Sequence, residues 1–387
     1  MKNFLQKESA SGVLIIFAMI LALILANNGV LYDFYNNLIK LDAGIIIGEF
    51  SIIKPIILWV NDGFMAVFFF LIGLELKYEF LEGELNSVKK IALPAIAGIG
   101  GVIVPALIFY ILNHSNAFDL NGWAIPTVSD TAFALAILLL LGTRVPVSLK
   151  LFLLSLAIID DVAAIVIIAI FYTAKLSVFS LFLSFCAVVA LGVLNYKNNQ
   201  NKYLYLACGI LLWVSLLKSG VHATLAGIIT SFFIPLKDEQ GDSEYGMIKA
   251  IMHRLHPIVA FVILPIFAFC NAGVVFSIQS LSNLAHNVPL GIILGLFLGK
   301  QVGVFSFAYI AIKLRLANLP DGSNWLHLYG LSLLTGVGMS MSLFIDGLAY
   351  ANSDVYLYAN KIAILIASVM CAIAGYIVLR KASKFDI

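Results

Sequence analysis

The chain has 387 residues, of which 62% are hydrophobic and only 11% are charged. In soluble proteins about a quarter of all residues are charged, and these residues cover the surface. The present composition therefore excludes a water-soluble globule. The net charge of +2 gives no reason to expect nucleic acid as a partner, and the four Cys have neither disulfide nor metal spacing. The composition indicates an all-α integral membrane protein.

Twelve apolar stretches have roughly the length of a membrane helix, about 20 residues. They lie near 12–30, 55–80, 91–113, 122–143, 150–174, 176–196, 203–218, 220–236, 257–276, 289–312, 326–350 and 362–379. Most of the 23 Lys and Arg residues fall in the two termini and in alternate loops, which predicts that both termini are cytoplasmic. We expect a single membrane transporter domain over 1–387.

Two segments outside the spans have a recognisable pattern. Residues 43–54 alternate loosely around Gly48, which fits a short surface hairpin and an irregular loop equally well. The polar stretch 237–256 predicts the longest cytoplasmic loop.

Several ionisable residues lie within the predicted spans, far from any water. The deepest are Asp130, Asp160, Asp161 and Lys300, with Asp346 nearer to a span end. Each costs roughly 2.5–3.5 kcal/mol to insert into hydrocarbon, even on the most lenient scale. No fold needs such residues for packing alone, so they predict that a charged species crosses the membrane here.

Asp160 and Asp161 follow nine uncharged residues, which places them near the centre of the bilayer. Adjacent helical residues project about 100° apart, so both can face one cavity, or one can face a neighbouring helix. Two carboxylates this close cannot both be ionised comfortably at low dielectric, so we expect them to hold protons as a pair. A hard cation such as Na⁺ or Li⁺ prefers oxygen ligands and can displace these protons. The pair therefore predicts proton-coupled cation exchange.

Lys300 is the only base at a comparable depth. It can neutralise one of the carboxylates, interact with carbonyl groups at a broken helix end, or release a proton itself. The sequence leaves these three roles open.

Two of the predicted spans contain weak points at corresponding positions. Span four carries Pro126 shortly before Asp130, and span eleven carries Gly336 and Gly338. Pro removes a backbone donor, and freed backbone groups are tolerated at this depth only against protein or water. Such matched interruptions are typical of inverted repeats with a binding site at the breaks, here spans 3–5 and 10–12. The alternative for the glycines is close helix packing.

Five segments, taken together, resemble the NhaA-type bacterial sodium/proton antiporters. They are VNDGFMAVFFFLIGLELKYEFLEGEL (60–85), GWAIPTVSDTAFALAILLLLGTRVP (122–146), LAIIDDVAAIVIIAIFYT (156–173), LKSGVHATLAGIITSFFIPL (217–236) and HPIVAFVILPIFAFCNAGV (256–274). The resemblance implies an antiporter, not an enzyme, that exchanges intracellular Na⁺ or Li⁺ for external H⁺ without a cofactor. It also implies electrogenic, pH-regulated transport in the bacterial inner membrane and helices 4 and 11 that cross at mid-membrane.

The resemblance also implies roles for individual residues of the central site. Asp160 and Asp161 would bind the cation and the protons, with Asp161 as the principal cation ligand. Asp130 would compensate the helix-end dipoles at the two interruptions, with Ser129 and Thr127 supporting the site. Lys300 would pair with Asp160 or take part in proton transfer.

Further roles follow from the resemblance at the cytoplasmic side. They concern a cation funnel and the response to pH, for which the candidates are Glu75, Glu79, His222, His253 and His256. The hairpin at 43–54 would be periplasmic and form a homodimer contact. Three departures from the family pattern, Tyr78, Met252 and Gln301, limit how far the pH response and the local geometry near Lys300 can be transferred.

Two other classes of protein are alternatives to an antiporter. An intramembrane aspartyl protease also needs two membrane aspartates, but on separate spans, whereas Asp160 and Asp161 are adjacent. A cation channel would conduct without proton coupling, while broken helices around one charged site favour alternating access.

Overall fold

The computed structural model describes residues 2–48, 50–83, 87–173, 177–236, 246–351, 353 and 355–382. Most of these residues are helical. In chain order the helices are α1 (Lys2–Asn27), α2 (Tyr32–Lys40), α3 (Ile56–Leu81), α4 (Val88–Asn113), α5 (Ala117–Leu120), α6 (Thr131–Leu140), α7 (Val147–Phe171), α8 (Val178–Tyr196), α9 (Lys202–Leu217), α10 (Leu225–Phe233), α11 (Met247–Ala272), α12 (Ile278–Ser282), α13 (Asn287–Lys313), α14 (Trp325–Leu334), α15 (Met339–Ala349) and α16 (Leu357–Ala382). Strands β1 (Asp42–Ile47) and β2 (Phe50–Pro55) lie between α2 and α3.

Within the described ranges, nine helical segments are long and apolar enough to cross a membrane, and the bent pair α14 and α15 makes a tenth. The prediction of an all-α membrane protein is therefore confirmed. Helices α9 and α10 lie over the two remaining predicted spans, but they have only 16 and 9 residues. Twelve membrane crossings stay a prediction.

Two predicted boundaries differ from the structure. Span eight was expected from residue 220, but Gly220 adopts a φ of +87° and α10 begins only at Leu225, so His222 lies in a turn. The predicted cytoplasmic loop over 237–256 is helical from Met247 onwards, and residues 237–245 lie outside the described residues. This part of α11 is amphipathic, with Met247 and Ile248 buried, and simple hydropathy does not detect such a helix.

The chain divides into two compact units, each built from separate stretches of sequence. The first unit consists of Met1–Tyr32, Ser87–Ala164 and Asn271–Ile387, and the second of Asp33–Asn86 and Ile165–Cys270. The first has its own apolar core, with Leu149 and Leu328 fully buried. The second packs around Leu74, Leu212 and Ile248. A single transporter domain over 1–387 stays a prediction.

The segment over 43–54 forms an antiparallel hairpin. Its register pairs Asp42 with Pro55 at one end and Ile47 with Phe50 at the other. Gly48 in the turn has a φ of +60°, a conformation that glycine adopts without a steric penalty. The hairpin is attached to α3, because the indole Nε1 of Trp59 donates a hydrogen bond of 2.7 Å to the Ala43 carbonyl.

Both predicted interruptions are present in the structure. Before α6, the chain forms a 3₁₀ turn over Asn121–Thr127 and then becomes extended at Val128 and Asp130. Helices α14 and α15 are separated by a short break and bent by 43°. Within α13, a π-helical turn over Gly295–Gly299 comes directly before Lys300. Such turns are frequent at functional sites.

Candidate cation and proton site

Asp160 lies in the interior of the first unit, paired with Lys300. The ammonium Nζ of Lys300 is 2.7 Å from Asp160 Oδ2, and the side chains are 0% and 2% exposed. The Ser129 hydroxyl is 2.5 Å from the same carboxylate oxygen. Two positively polarised donors therefore converge on one oxygen of a carboxylate that water does not reach.

The second oxygen of this carboxylate has a different environment. Asp160 Oδ1 is buried, and no donor among the described residues forms a hydrogen bond to it. An unpaired buried acceptor costs about 1–3 kcal/mol, and more for a charged group. This oxygen is therefore available to a proton or to a cation.

Ser129 connects Asp160 with the break between α14 and α15. Its hydroxyl oxygen is 2.5 Å from Asp160 Oδ2 and also 2.7 Å from the carbonyl oxygen of Thr335. A hydroxyl has one proton to donate and can also accept, so it satisfies only one of these acceptors at a time. If Asp160 is protonated, it donates to Ser129, and Ser129 then donates to Thr335. The arrangement can thus accommodate Asp160 in both protonation states.

Asp130 lies where two helices begin. It is the N-cap of α6, with Oδ1 accepting from the Phe133 amide at 3.4 Å. Its other oxygen, Oδ2, accepts from the Ser340 amide in the first turn of α15 at 3.0 Å, and also from the Ser340 hydroxyl. The start of each helix carries a partial positive charge and unpaired amides, both of which a carboxylate satisfies.

The two interruptions are also hydrogen-bonded to each other through the backbone. The Asp130 amide donates to the Val337 carbonyl at 2.6 Å. The Ser342 hydroxyl donates to the Ile125 carbonyl at 2.8 Å. Backbone groups that the breaks remove from helices thus find partners in the opposite break, as burial at membrane depth requires.

Lys300 is held in position by unusually close packing of α13 against α4. A Cβ on Gly303 would collide with the Gly100 carbonyl oxygen, and a Cβ on Gly100 would collide with that of Gly303. Only residues without a side chain permit this approach. Gln301, which departs from the family pattern, donates to the Phe297 carbonyl at 2.6 Å and accepts from the Tyr329 hydroxyl at 2.8 Å, so it ties α13 to α14.

The structure does not gather all the predicted support residues around Asp160. Asp161 follows on α7 and is only partly buried, in contrast to Asp160. The Thr127 hydroxyl donates to the Ala124 carbonyl at 2.8 Å, within its own 3₁₀ turn. Within the part of the chain that the structure describes, no cluster of three or more His, Cys, Asp or Glu side chains suited to a resident metal occurs.

The candidates for the funnel and the pH response all lie in the second unit. His256 Nε2 is 3.9 Å from Glu75 Oε1, and both side chains are about a third exposed, at 28% and 31%. Glu79 is one helical turn further along α3, and His253 is exposed on α11. His222 lies apart from these in sequence, with its Nδ1 3.4 Å from the Thr224 hydroxyl.

Sequence reasoning did not identify the partners that complete these sites. Ser340 binds Asp130, and Thr335 contributes a backbone carbonyl next to Ser129. Small hydroxyl residues occur throughout membrane helices, so their type alone gave no signal. Asn360 donates to Asp346 at 2.8 Å. In the sequence it stands next to Lys361, and two adjacent polar residues at the edge of an apolar span are a signal that could have identified it.

Comparison with known proteins gives a consistent result over the whole chain. The profile of the family described as Na⁺/H⁺ antiporter 1 matches residues 2–379. A Na⁺/H⁺ antiporter NhaA 1 from Campylobacter fetus is 77% identical over 383 residues, which is 99% of this chain and 98% of the relative. NhaA antiporters from Campylobacter curvus and Campylobacter concisus are 53% and 54% identical, covering 99% of this chain and 95% and 93% of their own lengths. With its buried Asp160–Lys300 pair beside two interrupted helices, this chain belongs to the NhaA family of Na⁺/H⁺ antiporters.

Proposed function

We propose that this protein is a secondary antiporter that exchanges intracellular Na⁺ or Li⁺ for external H⁺ across the bacterial inner membrane. Sodium/proton antiport is the activity that the names of its relatives state. The observation that carries the proposal is the Asp160 carboxylate, buried, paired with Lys300 and Ser129, and with one oxygen unsatisfied.

The proton-loaded state follows from the contacts of Ser129. A proton on Asp160 removes the negative charge that attracts Lys300. The protonated carboxyl group donates to the Ser129 hydroxyl, which then donates to the Thr335 carbonyl at the present distance of 2.7 Å. Each oxygen in this short chain keeps a partner, while the buried Lys300 ammonium loses the charge with which it was paired.

The cation-loaded state uses the same oxygens without protons. Na⁺ prefers oxygen ligands, and the two carboxylates of Asp160 and Asp161, together with nearby hydroxyl and carbonyl oxygens, provide them. The ion binds the unsatisfied Asp160 Oδ1, where it competes with the Lys300 ammonium for the charge of this carboxylate. The proton and the cation thus exclude each other at one site, which couples their transport.

Asp130 has a fixed role in this proposal. Its carboxylate is used by the first turns of α6 and α15, so it is not available as a cation ligand without loss of both contacts. A charge retained at this point offsets the partial positive charges of two helix ends that would otherwise repel Na⁺.

The remaining assignments concern topology and regulation. Both termini are cytoplasmic, the hairpin is periplasmic and contributes to a homodimer, and the Glu75–His256 contact belongs to the cytoplasmic funnel that responds to pH. The distribution of Lys and Arg supports the orientation. The distance of 3.9 Å between Glu75 and His256 supports their joint response, since protonation of His256 strengthens this contact. If both aspartates deliver protons against one Na⁺, each cycle moves net charge.

The test is Na⁺-induced proton movement in proteoliposomes of wild type, Asp160→Asn and Asp161→Asn. Each Asn keeps the shape and removes the negative charge that binds Na⁺ or H⁺, so we expect both variants to lose coupled exchange. Asp321→Asn, which neutralises an exposed carboxylate, is the matched control and should transport as wild type does. Undiminished exchange in Asp161→Asn, or Na⁺ flux without proton movement in wild type, would contradict the proposal.

A further inference from the structure

Three carboxylates are buried among the described residues, and the mechanism above uses only two of them. The third is Asp346 in α15, which is 4% exposed. Its Oδ1 accepts a hydrogen bond of 2.8 Å from the Asn360 amide, and Lys361 is close enough to interact with it electrostatically. An ionisable group buried in a membrane protein is energetically costly and therefore indicates a function.

The surroundings of Asp346 share two features with those of Asp160. Each aspartate has a Lys and a polar side chain supplied by another element, and each site contains one buried oxygen with no donor among the described residues. At Asp346 this oxygen is Asn360 Oδ1. A protonated carboxyl group has an O–H that can donate a hydrogen bond. If the Asn360 amide rotates, its oxygen can accept this bond and is no longer unsatisfied.

Asp346 is also connected to the central site through its own helix. Ser340, the partner of Asp130, lies six residues earlier in α15. At 1.5 Å per residue, the two positions are separated by about 9 Å along the helix. Asn360 and Lys361 lie near the N-terminal end of α16, which is the end away from the chain's C-terminus.

We propose that Asp346, Asn360 and Lys361 form a second proton-binding site, through which protons pass between the Asp160 site and the membrane face opposite to the C-terminus. This inference rests on the proposed antiport. In the deprotonated state the charges of Asp346 and Lys361 attract each other. In the protonated state the carboxyl group carries a proton taken up from water. It donates a hydrogen bond to Asn360 Oδ1, while Lys361 keeps its charge.

Among the described residues, few other titratable groups lie near Asp346. The 3₁₀ turn Asn121–Thr127 that packs on α15 carries none, and the first turns of α16 carry Tyr358 besides Lys361. In the adjoining turn, Tyr350 and Tyr356 both donate to Asp119. Burial and the contact with Asp119 raise the pKa of Tyr356 to about 12, so this phenol stays protonated at physiological pH.

The experiment measures Na⁺-driven proton flux in oriented proteoliposomes, with pH varied on one face while the other face is held constant. The variants are Asp346→Asn, which removes the proton-binding group, and Asp346→Asn/Lys361→Gln, which also removes the positive charge that the single change leaves without its counter-charge. Asp119→Asn is the matched control, since it neutralises a nearby acid that is only partly buried.

On the face opposite to the C-terminus, we expect both Asp346 variants to need an about tenfold higher proton concentration for half-maximal exchange. Their dependence on Na⁺ and pH at the other face should stay as in wild type, as should all properties of Asp119→Asn. If the double variant has wild-type pH dependence on both faces, the pair is only structural and the inference is overturned. A wild type without any Na⁺/H⁺ exchange would instead contradict the proposed function.

Discussion

Two ion pairs, one in each unit, have nearly the same geometry and very different surroundings. Lys300 and Asp160 are separated by 2.7 Å, and their side chains are 0% and 2% exposed. Lys54 and Asp62 are separated by 2.8 Å, but theirs are 30% and 16% exposed. Distance alone therefore does not distinguish a structural contact from the proposed transport site; the two pairs differ in their access to water.

The pair in the second unit has a clear structural role. Lys54 belongs to β2 and Asp62 to the π-helical turn of α3, so their contact fastens the hairpin to the helix. The Asp62 carbonyl also accepts a hydrogen bond of 3.0 Å from the Trp213 indole. Because water and ions reach Lys54, loss of its partner leaves no buried charge, which is the reverse of the situation at Asp160.

The largest effect is expected for Lys300→Met. It leaves the Asp160 charge buried without its partner, which costs about 3–5 kcal/mol in the free energy of unfolding. Thermal unfolding of the purified protein in detergent would measure this loss. Lys313→Met, on the same helix but exposed, is the control and should be close to wild type. A Lys300→Met protein as stable as this control would contradict the importance of burial.

The double variant Lys300→Met/Asp160→Asn should recover most of that stability. Removal of both charges leaves no buried ion, and replacement of buried pairs by neutral groups is often neutral or stabilising by about 1–4 kcal/mol. The same unfolding assay applies. Transport should nevertheless be absent, because stability and proton binding are separate properties of this pair. A double variant that is no more stable than Lys300→Met would show that the two charges are not coupled.

A smaller effect is expected for Lys54→Met. An exposed pair contributes about 0–1 kcal/mol, and salt screens it. We expect unfolding free energies within about 1 kcal/mol of wild type at low ionic strength and a smaller difference at 1 M salt. The difference caused by Lys300→Met should not change with salt, and a salt-sensitive value there would indicate that water reaches Asp160.

The smallest effect on stability is expected for Glu75→Gln. Glu75 and His256 are 3.9 Å apart and partly exposed, so their contact should contribute well under about 1 kcal/mol. The expected change is instead in the pH dependence of exchange, which a proton-flux assay across pH 6–9 would show. An unchanged pH profile would show that this contact takes no part in the pH response.

Much of the central site could be predicted from the sequence because charge in an apolar span is rare. Asp130, Asp160 and Lys300 stand out for this reason, and Pro126 marks one break. The partners of these charges were harder to predict, because Ser340 and backbone carbonyls such as that of Thr335 look ordinary in sequence. Three-dimensional pairing of separate helices brings them together, and no local pattern encodes it.

The boundaries that failed have a related cause. The start of α11 at Met247 depends on an amphipathic pattern that a hydropathy window averages away. The short α10 begins late because Gly220 takes a left-handed conformation, which no apolar count detects. The Thr127 hydroxyl donates within its own turn, and its role in supporting the site stays a prediction.

The contact between Gly100 and Gly303 has a consequence for motion during transport. The two backbones are so close that α4 and α13 cannot slide or rotate past each other without a collision of carbonyl groups. We therefore expect Lys300 and the part of α4 around Gly100 to move together whenever the site changes its access. Spin labels on these two helices should keep a constant separation through the cycle, and such a pair would provide a fixed reference frame for measuring the displacement of every other helix.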